Sequence, residues 1–263
     1  GLNSPHVIAA DFQQGFLLLT DFGSVQYLGE LRERPDRADA LYLDALTALL
    51  TMQREGNEFR ASLPTYDDEF LRFELSIFRE WLCEQQLSIR FSNEDEVAWK
   101  NCCDLLVESA LQQENVFVHR DYHSRNLMLT DKNNPGILDF QDAVEGPLTY
   151  DLVSLLKDCY IKWPTEKIEQ WALSFYARLP DDVRGNYDDR QFMRLFDLMG
   201  VQRHLKAAGI FARLLRRDGR PAYMRDVPRT LSYIVDIAPR YPELAFLADL
   251  ITTRVLPSLD AAD

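Results

Sequence analysis

The sequence predicts an α+β chain, a mainly helical body with a small β insertion that carries one polar loop. Two observations predict it. Beyond residue 35, apolar residues recur at helical spacing for most of the chain; residues 116–140 break that pattern with short apolar runs, a polar loop and a turn. At 46% hydrophobic and 27% charged, the 263 residues have the composition of an ordinary globular protein, with enough chain for one large core or two modest ones.

The elements follow in order. Residues 16–19 (FLLL) read as a compact apolar strand, closed by a turn at Thr20, Asp21, Phe22 and Gly23. Residues 36–54 predict a helix with Leu41, Ala45, Leu46, Leu49 and Leu50 on one face. Residues 67–86 predict a second, in which Phe70, Leu71, Phe78, Trp81 and Leu82 recur at helical spacing. Aromatic residues so placed belong to a core rather than to a cofactor box. Asn93 with a reciprocal Glu96 is expected to cap a helix running to about residue 113. Pro164 and Thr165 start another, with Ile168, Trp171 and Phe175 as its apolar face. Residues 188–217 predict a long helix with an expected interruption at Gly209, and residues 225–238 a further one before Pro239.

The insertion holds the chemistry. Val116, Phe117 and Val118 form a strand, His119 to Asn126 a polar loop, and Leu127 to Leu129 a second strand. A turn at residues 133–136 (NNPG) leads to a third strand ending in Asp139. Two antiparallel strands joined by that turn place Asn126 and Asp139 side by side near one end of a hairpin, with Asp121 in the loop before them. Three oxygen-bearing side chains converging there suit a hard divalent cation such as Mg²⁺ and a hydroxyl to be deprotonated. The spacing H-x-D-x-x-x-x-N, followed by a strand-terminal Asp, is that of the catalytic and metal loops of phosphoryl transfer. By that order Asp139 takes the metal position, and the upstream Asp21-Phe22-Gly23 is a turn. Two blander readings exist. His119, Asp121 and His123 alternate as transition-metal ligands could, but more ligands are needed and only His6 and His204 remain in the chain. An inert polar hairpin accounts for an isolated H-x-D, though not for Asn126 and Asp139 behind it in the right order.

Charge and cysteines bound the partners. A formal net charge of -13 disfavours nucleic acid and anionic membrane surfaces, whose phosphates would repel it. Cys83, Cys102, Cys103 and Cys159 form neither a disulfide framework nor a zinc pattern, so free thiols in a reducing, cytoplasmic setting are expected. No apolar run reaches membrane-spanning length and no signal-peptide pattern opens the sequence. Composition fixes no oligomeric state.

The runs HRDYHSRN at 119–126 and ILDFQDAVEGPLTYDL at 137–152 resemble the aminoglycoside phosphotransferase-like family of small-molecule kinases. The stretches MGVQRHLK at 199–206, GIFARL at 209–214 and RDGRPAY at 217–223 resemble its amino-sugar branch. The resemblance covers essentially the whole chain. It implies a protein-kinase-like fold, with residues 1–30 as the remnant of an N-terminal lobe and inter-lobe hinge, and 31–263 as a helical C-terminal lobe. It implies ATP and Mg²⁺, with Asp121 as catalytic base, Asn126 and Asp139 as metal ligands, and the hinge residues Leu18, Leu19 and Asp21 at the nucleotide. Asp151 is expected to brace the catalytic loop. One departure stands out: no glycine-rich or Walker phosphate loop occurs, so an ATP-covering lobe is expected to be largely absent from these residues, and with it activity of the chain alone.

The branch implies as acceptor the anomeric C1 hydroxyl of N-acetylmuramate or N-acetylglucosamine, in cell-wall recycling. Counting about 100° per residue, Arg203, Lys206, Arg213 and Arg217 fall within a sector of roughly 80° on the long helix. A solvated face explains such a stripe; so does an anionic substrate, whose carboxylate suits an arginine fork. Asp142, Arg203, His204, Lys206, Arg213 and Tyr223 are the candidate substrate residues, His204 being equally readable as a satisfied helix residue. A polycationic aminoglycoside would instead want acidic walls, which Asp142, Glu145 and Asp158 could supply. A kinase of other small molecules and a non-catalytic sugar-binding module remain the alternatives.

Overall fold

A computed structural model describes residues 1–260. Its first elements are an antiparallel ribbon, β1 (Val7–Asp11) and β2 (Phe16–Leu19), exposed on both faces. β2 is the strand read from FLLL; β1 has too little apolar alternation to be read from sequence. The turn after β2 is as expected, with Gly23 at a φ of 79° donating its backbone N–H to the Asp21 carboxylate at 2.8 Å.

Helices α1 (Tyr27–Glu33), α2 (Ala38–Glu55) and α3 (Asp68–Ile77) follow, the last continuing as a π-helix over Phe78–Gln86. Leu41, Ala45, Leu46 and Leu49 of α2 are buried as their spacing requires. Helix α4 spans Asn93–Leu111, and its cap differs from expectation. Ser92, in extended conformation, accepts the Asp95 N–H at 3.1 Å while the Asp95 carboxylate accepts the Ser92 N–H at 2.9 Å. The reciprocal pair therefore sits one residue earlier than Asn93 and Glu96, because the hydroxyl is already in place when the chain turns.

Two short ribbons come next. β3 (Asn115–Val118) pairs with β6 (Val144–Pro147), and β4 (Leu127–Met128) with β5 (Gly136–Ile137). The β4–β5 hairpin is the expected one, but its third strand stops at Ile137. Asp139 lies beyond it at a φ of 69°, where the chain turns out of the ladder.

Helices α5 (Tyr150–Leu156), α6 (Thr165–Arg178) and α7 (Asp181–Arg184) lead to α8 (Asp189–Asp218), a 30-residue helix through the middle of the core. It packs on α3 and its π continuation, on α4 and α5, and on α9 (Val227–Ile237). The interruption expected at Gly209 does not occur. A Cβ there would lie 2.5 Å from Phe78 N and 2.6 Å from Ile77 C, so the missing side chain serves helix crossing rather than a break. Short helical pieces, among them α10 (Ala245–Asp249) and α11 (Leu256–Asp260), close the described chain.

Candidate active site

The loop at 119–126 is fixed from behind. Asp151, at the start of α5 and fully buried, accepts the backbone N–H groups of His119 at 2.6 Å and Arg120 at 3.0 Å. Arg120 takes a φ of 76°, a left-handed turn that these two bonds hold. Asp158 supports the other half by accepting Ser124 N at 3.0 Å and Ser124 Oγ at 2.5 Å. Two buried carboxylates thus hold the backbone that carries Asp121 and Asn126.

Asn126 and Asp139 meet as the hairpin predicts. Asn126 Nδ2 donates to Asp139 Oδ2 at 3.2 Å and to the Asp121 carbonyl at 3.0 Å, leaving Asn126 Oδ1 available. Asp121 lies nearby with no hydrogen bond to its carboxylate among the described residues. Burial works to raise its pKa, but the positive charge of Lys206, followed by His123 and Arg203, outweighs this and holds it below the usual carboxylate range. At neutral pH it is a carboxylate able to accept a proton. The donors are oxygen atoms on Asn126 and Asp139, a hard set suited to a divalent cation with most of its shell left for other ligands. Among the described residues no three His, Cys, Asp or Glu side chains gather as a metal cluster, which disfavours the transition-metal reading of His119 and His123.

These residues open onto one cavity of about 480 Å³ between the hairpin and α8, within the usual range of small-molecule sites. Of the residues nominated from sequence, Asp121, Asn126, Asp139, Arg203, Lys206 and Tyr223 line it. The structure does not bring the others there. His204, on the far side of α8, is buried with Nε2 at 2.8 Å from the Lys157 carbonyl and its ring stacked on Tyr233 at 4.7 Å. It is the satisfied helix residue of the two readings. Arg213 and Arg217 share the angular sector of Arg203 but lie roughly 15 and 21 Å further along the axis at 1.5 Å per residue; Arg217 pairs with its neighbour Asp218. Asp142 is exposed in the turn before β6. Asp21 closes its own turn, and Leu18 and Leu19 stand on the exposed ribbon.

The acidic walls expected for a polycation are not at the cavity either. Asp158 is turned inward onto Ser124, and Glu145 pairs with Arg60 at 3.5 Å. The wall opposite the hairpin carries cations instead. Lys206 lies 2.7 Å from both Glu74 Oε1 and the Tyr150 hydroxyl, and Glu74 also binds Arg120 at 2.7 Å, Gln202 and Tyr66. Arg203 lies over the Tyr150 ring at 4.7 Å and donates to the Arg120 carbonyl at 3.0 Å. Sequence reasoning missed Arg125 and the aromatic wall of Tyr160 and Phe211, which line the cavity together with His123, read from sequence only as a possible metal ligand. Arg125 could have been found: it stands inside the polar loop, one residue before Asn126.

The model of the phosphotransferase enzyme family matches residues 1–196, about three quarters of the chain. The chain belongs to this family. Among curated relatives it is 45% identical over 258 residues to the N-acetylmuramate/N-acetylglucosamine kinase of Pseudomonas aeruginosa, a match covering 96% of this chain and 74% of that protein. It is 42% identical over 261 residues to the protein of the same name from Neisseria meningitidis, covering 97% and 76%. Among solved structures, a choline kinase from Cryptosporidium parvum superposes with a TM-score of 0.60 at 12% identity, covering 90% of this chain and 75% of that one. The ADP-bound aminoglycoside phosphotransferase APH(2'')-Ib gives 0.55 at 15%, covering 88% and 75%. At such identities the two structures speak to fold alone: this phosphotransferase chain has the protein-kinase-like fold, helix-rich with small sheets.

Proposed function

We propose that the chain is the catalytic and sugar-binding part of an ATP-dependent amino-sugar kinase. Its acceptor is the anomeric C1 hydroxyl of N-acetylmuramate or N-acetylglucosamine, and the product is the sugar 1-phosphate. The observation that carries the reading is the meeting of Asp121, Asn126 and Asp139 at the mouth of a cavity whose opposite wall is cationic and aromatic. The relatives named for these two sugars support the acceptor.

In this reading Asp121 accepts the proton of the C1 hydroxyl as its oxygen attacks the γ-phosphate. Held below the usual carboxylate range, it is already ionised when the sugar arrives. Asn126 Oδ1 and Asp139 would hold Mg²⁺, which would supply positive charge for phosphoryl transfer. Asp151 keeps the loop at the angle that aims Asp121 into the cavity. The nucleotide base lies along β2, where Leu18 and Leu19 pair with β1 on one edge only and keep backbone groups for the adenine on the other. His123 lines the same cavity, with its Nδ1 buried and without a partner among the described residues.

Cations at the cavity wall, and the inward turn of Asp158, weigh against a polycationic aminoglycoside acceptor. The test is a coupled ADP-release assay against a panel of acceptors. N-acetylmuramate and N-acetylglucosamine are expected to turn over, with phosphorus NMR placing the new phosphate on C1, and aminoglycosides are expected to give none. Turnover of aminoglycosides alone, or phosphate on another hydroxyl, contradicts the reading.

A further inference from the structure

The cationic residues that sequence reasoning nominated for the substrate are already engaged by the protein. Lys206 places its ammonium on Glu74 and Tyr150, and Arg203 is buried beside Asp121 and Asp151 with its fork bonded to the Arg120 carbonyl. Their charges offset the buried acids Glu74 and Asp121. Arg125 differs. It lines the same cavity, yet no carboxylate lies within ion-pairing distance of it among the described residues. Its guanidinium is instead held over the rings of Tyr160 at 4.7 Å and Tyr223 at 5.6 Å.

This arrangement has two consequences. Aromatic faces orient a guanidinium and limit its rotamers without neutralising it, so its planar fork stays available to a ligand. The same wall is continuous, since Tyr223 stacks on Phe211 at 5.6 Å and Phe211 lies 6.3 Å from Tyr160. A pyranose ring can lay its apolar C–H face on such a surface while a charged substituent reaches the fork. The neighbouring Asn126 bonds Asp139, while Arg125 lies against Tyr160 and Tyr223.

We infer that Arg125 is the specificity-determining residue for an acidic amino sugar. Its fork takes the lactyl carboxylate of N-acetylmuramate, the group that N-acetylglucosamine lacks. The inference rests on the amino-sugar reading of the cavity and adds to it the residue that separates the two sugars.

The test is calorimetric binding of N-acetylmuramate, its carboxylate methyl ester and N-acetylglucosamine to the wild-type protein, Arg125→Lys and Arg125→Gln. A charge-assisted bidentate pair predicts that the free acid binds wild type roughly 10- to 100-fold more tightly than its ester. Arg125→Gln should erase that ratio, and Arg125→Lys should leave part of it, since it keeps charge without the fork. The acid-to-ester ratio in wild type needs no variant and reads the carboxylate contact even if a substitution disturbs folding. A ratio near one in wild type, or one unchanged in Arg125→Gln, overturns the inference while leaving the kinase reading standing. So does a variant that loses all three sugars equally, or that loses ATP affinity instead, because Arg125 would then serve the phosphates. Wild-type protein that binds none of the three overturns both.

Discussion

Asp151 Oδ2 accepts the backbone N–H of His119 at 2.6 Å, tying the first residue of α5's acidic turn to the head of the polar loop. Its other oxygen takes Arg120 N–H at 3.0 Å. Burial pushes the Asp151 carboxyl up, against the pull of His119 and these two bonds. Only a side chain with two acceptor oxygens satisfies both N–H groups. Asp151→Asn puts an amide N–H₂ against one of them, so we predict destabilisation of about 1–3 kcal/mol in urea unfolding. Turnover should fall as well, with sugar affinity less affected, because the loop carrying Asp121 is no longer held. A variant as stable and as active as wild type would remove Asp151 from the support of the loop.

Gly209 lies where α8 crosses the junction of α3 and its π continuation, and the atoms in its way are backbone, not a flexible side chain. Gly209→Ala should therefore cost stability although alanine is the better helix former. We expect about 1–3 kcal/mol from overpacking, set against roughly 1 kcal/mol gained in helix propensity. Chemical denaturation decides the sign. A net increase in stability would mean the two helices separate easily.

His204 gives a pH signature. Burial, assisted by the charges of Lys157, Arg203 and Lys162, pushes its imidazole down to about 3, despite the Lys157 carbonyl bond that favours the protonated ring. Unfolded, it titrates near 6.5. Its folded pKa is the lower, so the unfolded chain binds the extra proton and stability falls as pH drops from about 6.5 toward 3. The slope is at most about 1.4 kcal/mol per pH unit. Burial lowers His119 and His123 too, adding in the same direction, whereas the raised Asp151 opposes them. His204→Gln, which keeps a donor for the Lys157 carbonyl, should lose less stability than wild type between pH 7 and pH 5. Parallel stability curves for the two proteins would contradict the assignment.

What was legible in the sequence follows from what is local. The pairing of Asn126 with Asp139 was readable because both flank the strands of one local hairpin, β4 with β5. The faces of α2 and α6 were readable because burial imposes the helical period. β6 escaped because its partner β3 lies 26 or more residues away, and a pairing of that range leaves no mark in either strand. His204 and Arg203 are neighbours on one helix, and their sequence positions do not say which faces the cavity; that depends on how α8 packs against α5 and α9. Arg213 shares the angular sector of Arg203 but not its height on α8, since helical angle carries no information about the rise along the axis. Arg125 stands in the loop that the motif marks, but its ring partners Tyr160 and Tyr223 lie far away in the chain and leave no local sign.

The central claim is that Asp121 is the base of a phosphoryl transfer to a sugar hydroxyl. It is tested most directly by the turnover number of Asp121→Asn with N-acetylmuramate and ATP, alongside calorimetric sugar affinity. Asparagine keeps the shape of the side chain and removes its ability to take a proton. The account predicts a kcat lower by about two to four orders of magnitude, with the sugar Kd within roughly threefold of wild type. A variant retaining more than about half of the wild-type kcat would contradict it.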